Sequence, residues 1–462
     1  MPPAARSCTV LYALVALAAC GSGSGVSDGA GDGAPGAPLD ASLPPSGPPS
    51  DASPDPTVFE GGSLAIAGCG WDVVTRKGAS VPHASEAILG DDPTPRRIHL
   101  GLAGPPTTSI VVQWSTEDET TRATTLQLGR SAVNERSVDG VTWLYLAGAG
   151  DTLPLERVHE VHVCGLTPDT TYVYRVGGRA DDGREMWSST YSFRTAPDLA
   201  ADPSASVTVL VLGDSRDGYA TLADLLARAD ALVAPDLVLF TGDAVTHGGD
   251  EEQWDAFFDA TEPLLRRVPM LFAHGNHEQN SHHYYSLVSL PGNEEDYSVD
   301  YGPLHVTVLN DSPDDSASLA GSTRDFLAAD LDAHEAAPWT TVMHHRAIFS
   351  AAGHGTAEDL RTAWMPLYDA HHVDLVLNGH NHNYERSIPL HAGVAAPAGT
   401  RGTIYTVAGA AGASLYNHHS AAWTAVSESV QHFVVLTVQR GRLGYRAYRQ
   451  DGSLLDELTL TK

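Results

Sequence analysis

The sequence predicts an α/β domain preceded by an all-β sandwich, because two regions show different strand patterns. Between about residues 97 and 195, short strands such as 98–102 and 109–114 are separated by Gly and Pro turn residues, which is typical of a β-sandwich. From about residue 206, continuous apolar runs such as 207–212 alternate with helical periodicity, which is typical of an α/β domain. A chain of 462 residues is also too long for one ordinary core, so we expect two domains.

The N-terminus resembles a bacterial lipoprotein signal peptide at residues 1–20. Arg6 is the only charge there, and the apolar run at 10–19 is too short to span a bilayer but suits a signal-peptide core. Cleavage would leave Cys20 as the lipidated first residue; ordinary cleavage nearby, with Cys20 incidental, is the alternative. We expect an extracytoplasmic protein that is anchored to a bacterial membrane only through Cys20, in the periplasm or at the cell surface, or is otherwise secreted.

Composition divides the rest of the chain. Residues 21–58 are rich in Gly, Ser, Pro, Ala and Asp and lack Lys and Arg, so we expect a disordered tether there. An N-terminal extension at 59–92 follows. We place the β-sandwich at 93–197, where no catalytic cluster occurs, and the α/β domain at 198–462.

Charge restricts the partners of the protein. Asp and Glu number 57 against 27 Lys and Arg, a net charge of −30. Such a surface argues against nucleic acid and against an anionic membrane surface as partners. An anionic substrate would need local cations at its binding site.

Cysteine content excludes a disulfide scaffold, since the chain contains only four cysteines. Cys69 and Cys164 remain in the body of the protein. In an oxidising compartment they either form a disulfide or stay as two buried thiols.

Polar residues follow five of the apolar strands in the α/β region. Each motif alone is also typical of a turn, a helix cap or a solvated surface, but the ordered set predicts that the side chains converge at the carboxyl ends of the strands. Carboxylate and amide oxygens mixed with imidazoles suit Zn, Mn or Fe, so we expect a metal site. The residues that follow the five strands are Asp214, Asp243, Asn276 with His277, the pair His344-His345, and His380 with His382.

The order of these motifs resembles the calcineurin-like metallophosphoesterase superfamily, and within it the purple acid phosphatase-like group. The resemblance extends over about residues 93–462 and includes the blocks at 275–278, 297–302 and 379–386. It implies a four-layer αββα metallophosphoesterase sandwich preceded by a fibronectin type III-like domain. It also implies an acid phosphatase-like hydrolase with two metal ions, of Fe, Zn or Mn.

The resemblance implies a role for each motif residue. Asp243 would bridge the two metal ions, and His345 rather than His344 fits the family pattern. His277 and His354 would lie near the phosphoryl group and bind phosphate or protonate the leaving group. The other implied ligands are Asp214 and His382 for the first ion, and Asn276, His345 and His380 for the second.

The implied reaction is hydrolysis of a small phosphate ester by in-line attack of a metal-bound hydroxide. A phosphomonoester is the first expectation. A phosphodiesterase or nucleotidase on the same site is an alternative, and a non-catalytic surface binding protein with a degenerate metal site is another.

Two positions depart from the family pattern. Thr246 stands where purple enzymes carry the tyrosine that binds ferric iron, so we expect no purple colour. Arg216 stands where other members carry a histidine, and it either contacts a substrate oxygen or pairs with an acidic neighbour. The first metal would then have three protein ligands, completed by water, by another donor or by His247.

Overall fold

The computed structural model describes residues 62–66, 68–75, 92–117, 123–146, 155–179 and 183–462. The expected signal peptide, Cys20 and the tether lie outside the described residues. Within these ranges the structure contains no helix of the length and apolarity that a membrane crossing would require.

The region before residue 200 is all-β among its described residues, apart from a short 3₁₀ helix at Val133–Glu135. Its strands are β1 (Gly62–Ala65), β2 (Asp72–Thr75), β3 (Arg96–Gly101), β4 (Ser109–Thr116), β5 (Thr125–Gly129), β6 (Arg136–Asp139), β7 (Val141–Leu146), β8 (Leu155–Cys164), β9 (Thr171–Arg179), β10 (Glu185–Trp187) and β11 (Tyr191–Arg194). One antiparallel sheet has the order β3-β4-β8-β7, and the other has the order β10-β9-β5-β6, with β11 also paired to β9. Buried side chains of both sheets, including Trp114, Trp143 and Tyr174, share one core, as a β-sandwich requires.

A disulfide links the N-terminal hairpin to this sandwich. Cys69, in the turn between β1 and β2, is bonded to Cys164 at the end of β8, and their Cα atoms lie 5.5 Å apart. The hairpin also buries Val73 against Ala103 and Val111. The disulfide expectation is confirmed, and the alternative of two free thiols is wrong.

The region after residue 200 is α/β, as predicted. Its helices are α1 (Tyr219–Val233), α2 (Glu251–Leu265), α3 (His282–Leu287), α4 (Ser322–Ala333) and α5 (Glu358–Ala370), with a 3₁₀ helix at Ser316–Ala320. Its strands are β12 (Ser206–Leu212), β13 (Leu237–Phe240), β14 (Met270–Phe272), β15 (Tyr297–Tyr301), β16 (Leu304–Val308), β17 (Trp339–Met343), β18 (Leu375–Asn378), β19 (Tyr384–Ser387), β20 (Leu390–His391), β21 (Val394–Ala395), β22 (Ile404–Ala408), β23 (Thr424–Glu428), β24 (His432–Gln439), β25 (Arg442–Arg449) and β26 (Leu454–Thr461).

Two large sheets form the centre of this domain. The first has the order β14-β13-β12-β24-β25-β26, in which β12, β13 and β14 are parallel and the C-terminal strands are antiparallel. The second has the order β15-β16-β17-β18-β22-β19-β23, with β16, β17, β18 and β22 parallel. The parallel strands of each sheet deliver their carboxyl ends to one edge, where an α/β site is expected.

Helices cover the outer face of each sheet, while the inner faces pack against each other. Leu222, Leu225 and Ala229 of α1 recur at helical spacing and are fully buried on the first sheet. Val342 of β17 packs with α4 and α5, whereas the adjacent Met343 faces the first sheet, because successive strand residues point to opposite faces. The layer order of helix, sheet, sheet and helix confirms the predicted four-layer fold.

Candidate metal centre

The strand ends converge on two clusters of metal-binding side chains that share one carboxylate. One cluster consists of Asp243, His345 and His380, and the other of Asp214, Asp243 and His382. Within each cluster, one ligand atom from every residue lies within 4.8 Å of the others. A carboxylate common to both clusters is placed as a bridge between two ions.

The cluster of Asp243, His345 and His380, which would hold the second ion, is arranged around the Nε2 atom of His345. This atom lies 3.3 Å from Oδ1 of Asp243, 3.1 Å from Oδ1 of Asn276 and 3.2 Å from Nδ1 of His380. Four donor atoms from four loops thus face one point. Oxygen and imidazole donors in this mixture suit a transition metal.

The directions of the two side chains show which residue of the adjacent pair His344-His345 faces the metal centre. Nδ1 of His345 donates to the carbonyl of Thr241 at 2.8 Å, which leaves Nε2 free to bind a metal, the usual arrangement of a ligating histidine. His344 points into the interior instead, with Nδ1 3.2 Å from Asp311 and its ring against Trp364. The structure therefore brings His345, and not His344, to the site.

The other cluster, which would hold the first ion, has three protein side chains, those of Asp214, Asp243 and His382. Nε2 of His382 lies 3.6 Å from Oδ1 of Asp214, and Nδ1 of His382 donates to the carbonyl of Ser414 at 2.9 Å. Both oxygens of Asp214 accept the backbone N–H of His380 at 2.9 and 3.0 Å, so the two clusters are linked. His247 does not belong to this group, and its side chain is exposed.

The turns that carry the ligands have unusual backbone conformations. Asp214, Asp243 and His380 have φ angles of 59°, 56° and 68°, in the left-handed region that non-glycine residues rarely adopt. A Cβ atom on the neighbouring Gly379 would lie 2.3 Å from Oδ2 of Asp214, so this position requires glycine. At Asp243, the turn is held by a residue to which the sequence assigned no role and which accepts backbone hydrogen bonds there.

That residue is Glu278, the last residue of the Gly-Asn-His-Glu block. Its carboxylate is fully buried and accepts the backbone N–H groups of Asp243 at 3.0 Å, Ala244 at 2.8 Å and Gly275 at 2.7 Å. It therefore holds together the turns that present Asp243 and Asn276. Its position in this block, two residues after Asn276, could have marked it as part of the site. Sequence alone does not reveal which backbone groups it binds.

The electrostatics of the site favour added cations. Burial raises the pKa of Asp214 well above its usual value, and burial together with Asp243 raises the pKa of Glu278 to about 7. Burial lowers the pKa of His380 to about 3 and that of His382 to about 4, so both imidazoles are neutral and available as ligands. The carboxylates of Asp214, Asp243 and Glu278 are all buried at this centre, and two metal ions would supply positive charge beside them.

Three further predicted residues lie beside the clusters. Nδ1 of His277 donates to the carbonyl of Thr246 at 2.6 Å, and its Nε2 lies 3.9 Å from Oδ2 of Asp243. The ring of His354 stacks on that of His380 at 4.2 Å. The backbone N–H of Arg216 donates to the carbonyl of Asp243 at 3.2 Å.

A tyrosine that carries no sequence motif completes the rim. The ring of Tyr416 stacks on His382 with centroids 4.2 Å apart, and its hydroxyl lies 3.2 Å from Nε2 of His354. His418 and His419 follow on the same loop and are exposed. Burial lowers the pKa of His382, and the positive charge of the Arg216 guanidinium lowers it further.

Comparison with known families agrees with this geometry. Residues 95–195 match the purple acid phosphatase N-terminal domain, and residues 207–384 match the calcineurin-like phosphoesterase domain. The chain belongs to the calcineurin-like metallophosphoesterases, in their purple acid phosphatase-like group. Membership implies a dinuclear metal site, and the donor set described above fits one.

Relatives within this group differ in their descriptions. A probable inactive purple acid phosphatase 1 of Arabidopsis thaliana is 28% identical over 66% of this chain and 58% of its own length. Purple acid phosphatase 21 of the same plant is 26% identical over 66% of this chain and 69% of its own length. The match thus spans little more than half of the length of the first of these two relatives.

A solved structure shares the fold. The purple acid phosphatase from yellow lupin (Lupinus luteus) seeds superposes with a TM-score of 0.71 at 23% identity, covering 80% of this chain and 74% of the lupin chain. The arrangement of an all-β domain followed by an α/β metallophosphoesterase domain is therefore common to both proteins.

Proposed function

We propose that this metallophosphoesterase is an extracytoplasmic phosphatase that hydrolyses small phosphomonoesters. The observation that carries the proposal is the pair of clusters sharing Asp243, flanked by two histidines, His277 and His354, that are not needed as ligands. Phosphoryl transfer depends on positioning and charge neutralisation more than on covalent catalysis. The two flanking histidines would supply the positioning, and metal ions at the two clusters would supply the charge neutralisation.

Asp214, Asp243 and His382 would hold one ion, and Asn276 with His345 and His380 would join Asp243 in holding the other. When bound, the two ions would supply positive charge for the phosphoryl oxygens and lower the pKa of a water molecule. They would also offset the charge of −30 that otherwise opposes an anionic substrate.

The histidines beside the clusters have the orientation that proton transfer needs. His277 donates its Nδ1 proton to Thr246, so its Nε2 faces Asp243 and the space where a phosphoryl oxygen would bind. Nε2 of His354 lies within hydrogen-bond distance of the Tyr416 hydroxyl, at 3.2 Å, and this contact fixes the His354 ring at the rim, where it could protonate a leaving-group oxygen. We assign phosphate binding to His277 and Arg216, and leaving-group protonation to His354.

Location outside the cytoplasm is supported by two independent features. Residues 1–20 resemble a lipoprotein signal, and Cys69 forms a disulfide with Cys164. Structural disulfides persist mainly in oxidising compartments. Anchoring through a lipid on Cys20 is part of the proposal.

A non-catalytic binding protein is the second candidate function. Thr246 occupies the position of the ligating tyrosine, the first cluster has three protein side chains, and one relative is described as probably inactive. A protein of this kind would bind phosphate esters without turning them over.

Turnover of chromogenic substrates distinguishes these functions. We expect the full chain, supplied with Mn²⁺, Zn²⁺ or iron, to hydrolyse p-nitrophenyl phosphate faster than bis(p-nitrophenyl) phosphate. Asn276→Ala should abolish turnover, while Asn134→Ala, an exposed asparagine of the sandwich, should not change it. Faster diester hydrolysis would favour a phosphodiesterase, and no turnover with any metal would favour the binding protein.

A further inference from the structure

A second group of metal-binding side chains lies away from the candidate metal centre. Asp300 of β15 and His305 of β16 are directly paired across the two strands, and His334 follows the last turn of α4. One ligand atom of each of these residues lies within 4.8 Å of the other two. His305 stands near the amino end of β16, whereas the metal centre lies at the carboxyl ends of the parallel strands.

Both imidazoles are oriented from behind by the same residue. Nε2 of His305 lies 3.1 Å from Oδ2 of Asp330, and Nδ1 of His334 donates to the backbone carbonyl of Asp330 at 2.8 Å. The remaining ring nitrogens therefore turn toward Asp300. Nδ1 of His305 lies 2.8 Å from Oδ1 of Asp300, and Nε2 of His334 lies 3.8 Å from Oδ2.

This arrangement is the one that metal-ligating histidines adopt. A carboxylate or a backbone carbonyl behind the ring sets the tautomer and leaves the opposite nitrogen with its lone pair toward the ion. Here the carboxylate of Asp330 performs this role for His305, and its carbonyl performs it for His334. A proton between His305 and Asp300 holds the place that a cation could take.

The group is accessible from solvent. It lines a cavity of about 310 Å³ at the junction with the β-sandwich, to which Thr107 and Asp198 also contribute. His305 is fully buried, but the side chain of Asp300 is 63% exposed and that of His334 is 30% exposed. These two side chains can therefore move when an ion enters.

Some movement is required, because the rings of His305 and His334 are stacked with centroids 3.9 Å apart and planes 18° from parallel. A metal ion lies in the plane of each imidazole that binds it, so the stack must open. The partly exposed ring of His334 can tilt, while His305 stays held by Asp330 and by Thr307, whose hydroxyl lies 3.3 Å from its Nε2.

We propose that Asp300, His305 and His334 form a third metal site, which takes a divalent ion that favours imidazole, such as Zn²⁺ or Ni²⁺. Such ions accept mixed carboxylate and imidazole ligands and complete their coordination with water or another oxygen. Asp198 lines the same cavity but is not part of the cluster. A bound ion would join the β15–β16 hairpin to the end of α4 beside the sandwich.

Metal analysis after equilibrium dialysis against Zn²⁺ tests this site. Asp300→Asn changes an exposed side chain and His334→Ala a partly exposed one at the end of α4, so the fold should survive. Each variant should hold one Zn²⁺ fewer per chain than the unaltered protein, with unchanged phosphatase activity. Asp325→Asn, on an 80% exposed side chain of α4, is the matched control and should lose none.

The same comparison separates this proposal from the proposed function. In an Asp243→Asn background, which removes the shared carboxylate of the metal centre, adding His334→Ala should still lower the Zn²⁺ content by one. Equal Zn²⁺ content with and without His334→Ala and Asp300→Asn would overturn the third site. An equal loss in Asp325→Asn would overturn it as well.

Discussion

Replacing Glu278 with glutamine tests how the metal centre is held in shape. The buried carboxylate accepts three backbone N–H groups, from Asp243, Ala244 and Gly275, at 2.7–3.0 Å. Glutamine retains one acceptor oxygen and places an amide N–H₂ group against at least one of these donors. With the amide oxygen at the Oε2 position, which binds Asp243 and Gly275, the amide nitrogen would face the N–H of Ala244 and displace the turn that carries Asp243.

The size of the effect follows from these contacts. A hydrogen bond to a charged group contributes about 1.5–3 kcal/mol, so the loss of one such bond should lower the free energy of unfolding by about that amount. Loss of an outer partner of a metal ligand typically weakens metal binding by about 10–100-fold. We expect Glu278→Gln to bind Mn²⁺ or Zn²⁺ more weakly by a factor in this range.

The assay pairs a metal titration with urea unfolding, and Glu385→Gln is the matched control. Glu385 is also a buried carboxylate, but it accepts from Ser350, Ala351 and Thr424 and so supports the segment leading to His354 rather than a metal ligand. The control should lose stability while keeping its metal affinity at the centre. Unchanged metal affinity in Glu278→Gln, or an equal loss of affinity in Glu385→Gln, would contradict the role assigned to Glu278.

Three other predictions concern the rim, the core and the colour of the protein. His354→Ala should lower kcat by about 100-fold or more while metal content stays unchanged, because it removes the proposed general acid; steady-state kinetics with metal analysis would show this, and an unchanged kcat would exclude the role. Asp456→Asn should lower the free energy of unfolding by about 3–5 kcal/mol, because it leaves the buried Arg386 guanidinium without its partner. Burial opposes ionisation of Asp456, but the hydrogen bonds from Arg386 lower its pKa below 3.8; this stabilisation is therefore present above pH 4 and lost as the pH falls through the lowered pKa, which urea unfolding at neutral and acid pH can measure. The iron-loaded protein should show no visible tyrosinate-to-iron absorption, because Thr246 replaces the tyrosine, and a purple band in its spectrum would contradict this assignment.

Local sequence predicted the strands that precede the site well. The run 207–212 is apolar except for the half-buried Thr208, because most of this strand is buried on both faces, and this pattern needs no knowledge of distant residues. The antiparallel strands β24 to β26 were not predicted as part of the first sheet. Val209 pairs with Leu436 across more than two hundred residues, and such pairing depends on the global fold.

The site was predicted unevenly for similar reasons. Ligands such as Asp243 follow strands directly, so their convergence could be inferred from strand order. Tyr416 lies on a loop with no periodicity, and only the folded chain brings its ring onto His382. His344 and His345 are adjacent, and only the direction of the side chain decides which of them reaches the site. The resemblance to the family indicated His345, and the hydrogen bond from its Nδ1 to the carbonyl of Thr241 explains this choice.

Two ions held through Asp243 would make this protein a phosphatase, and one comparison of rates tests this. The most direct measurement is the rate of p-nitrophenyl phosphate hydrolysis by the metal-supplied full chain and by Asp243→Asn under the same conditions. We expect metal-dependent turnover that falls by at least about 100-fold in the variant, as is typical when a preorganised electrostatic contact is removed. Equal rates in the two proteins, or no turnover by the unaltered chain with any metal, would contradict it.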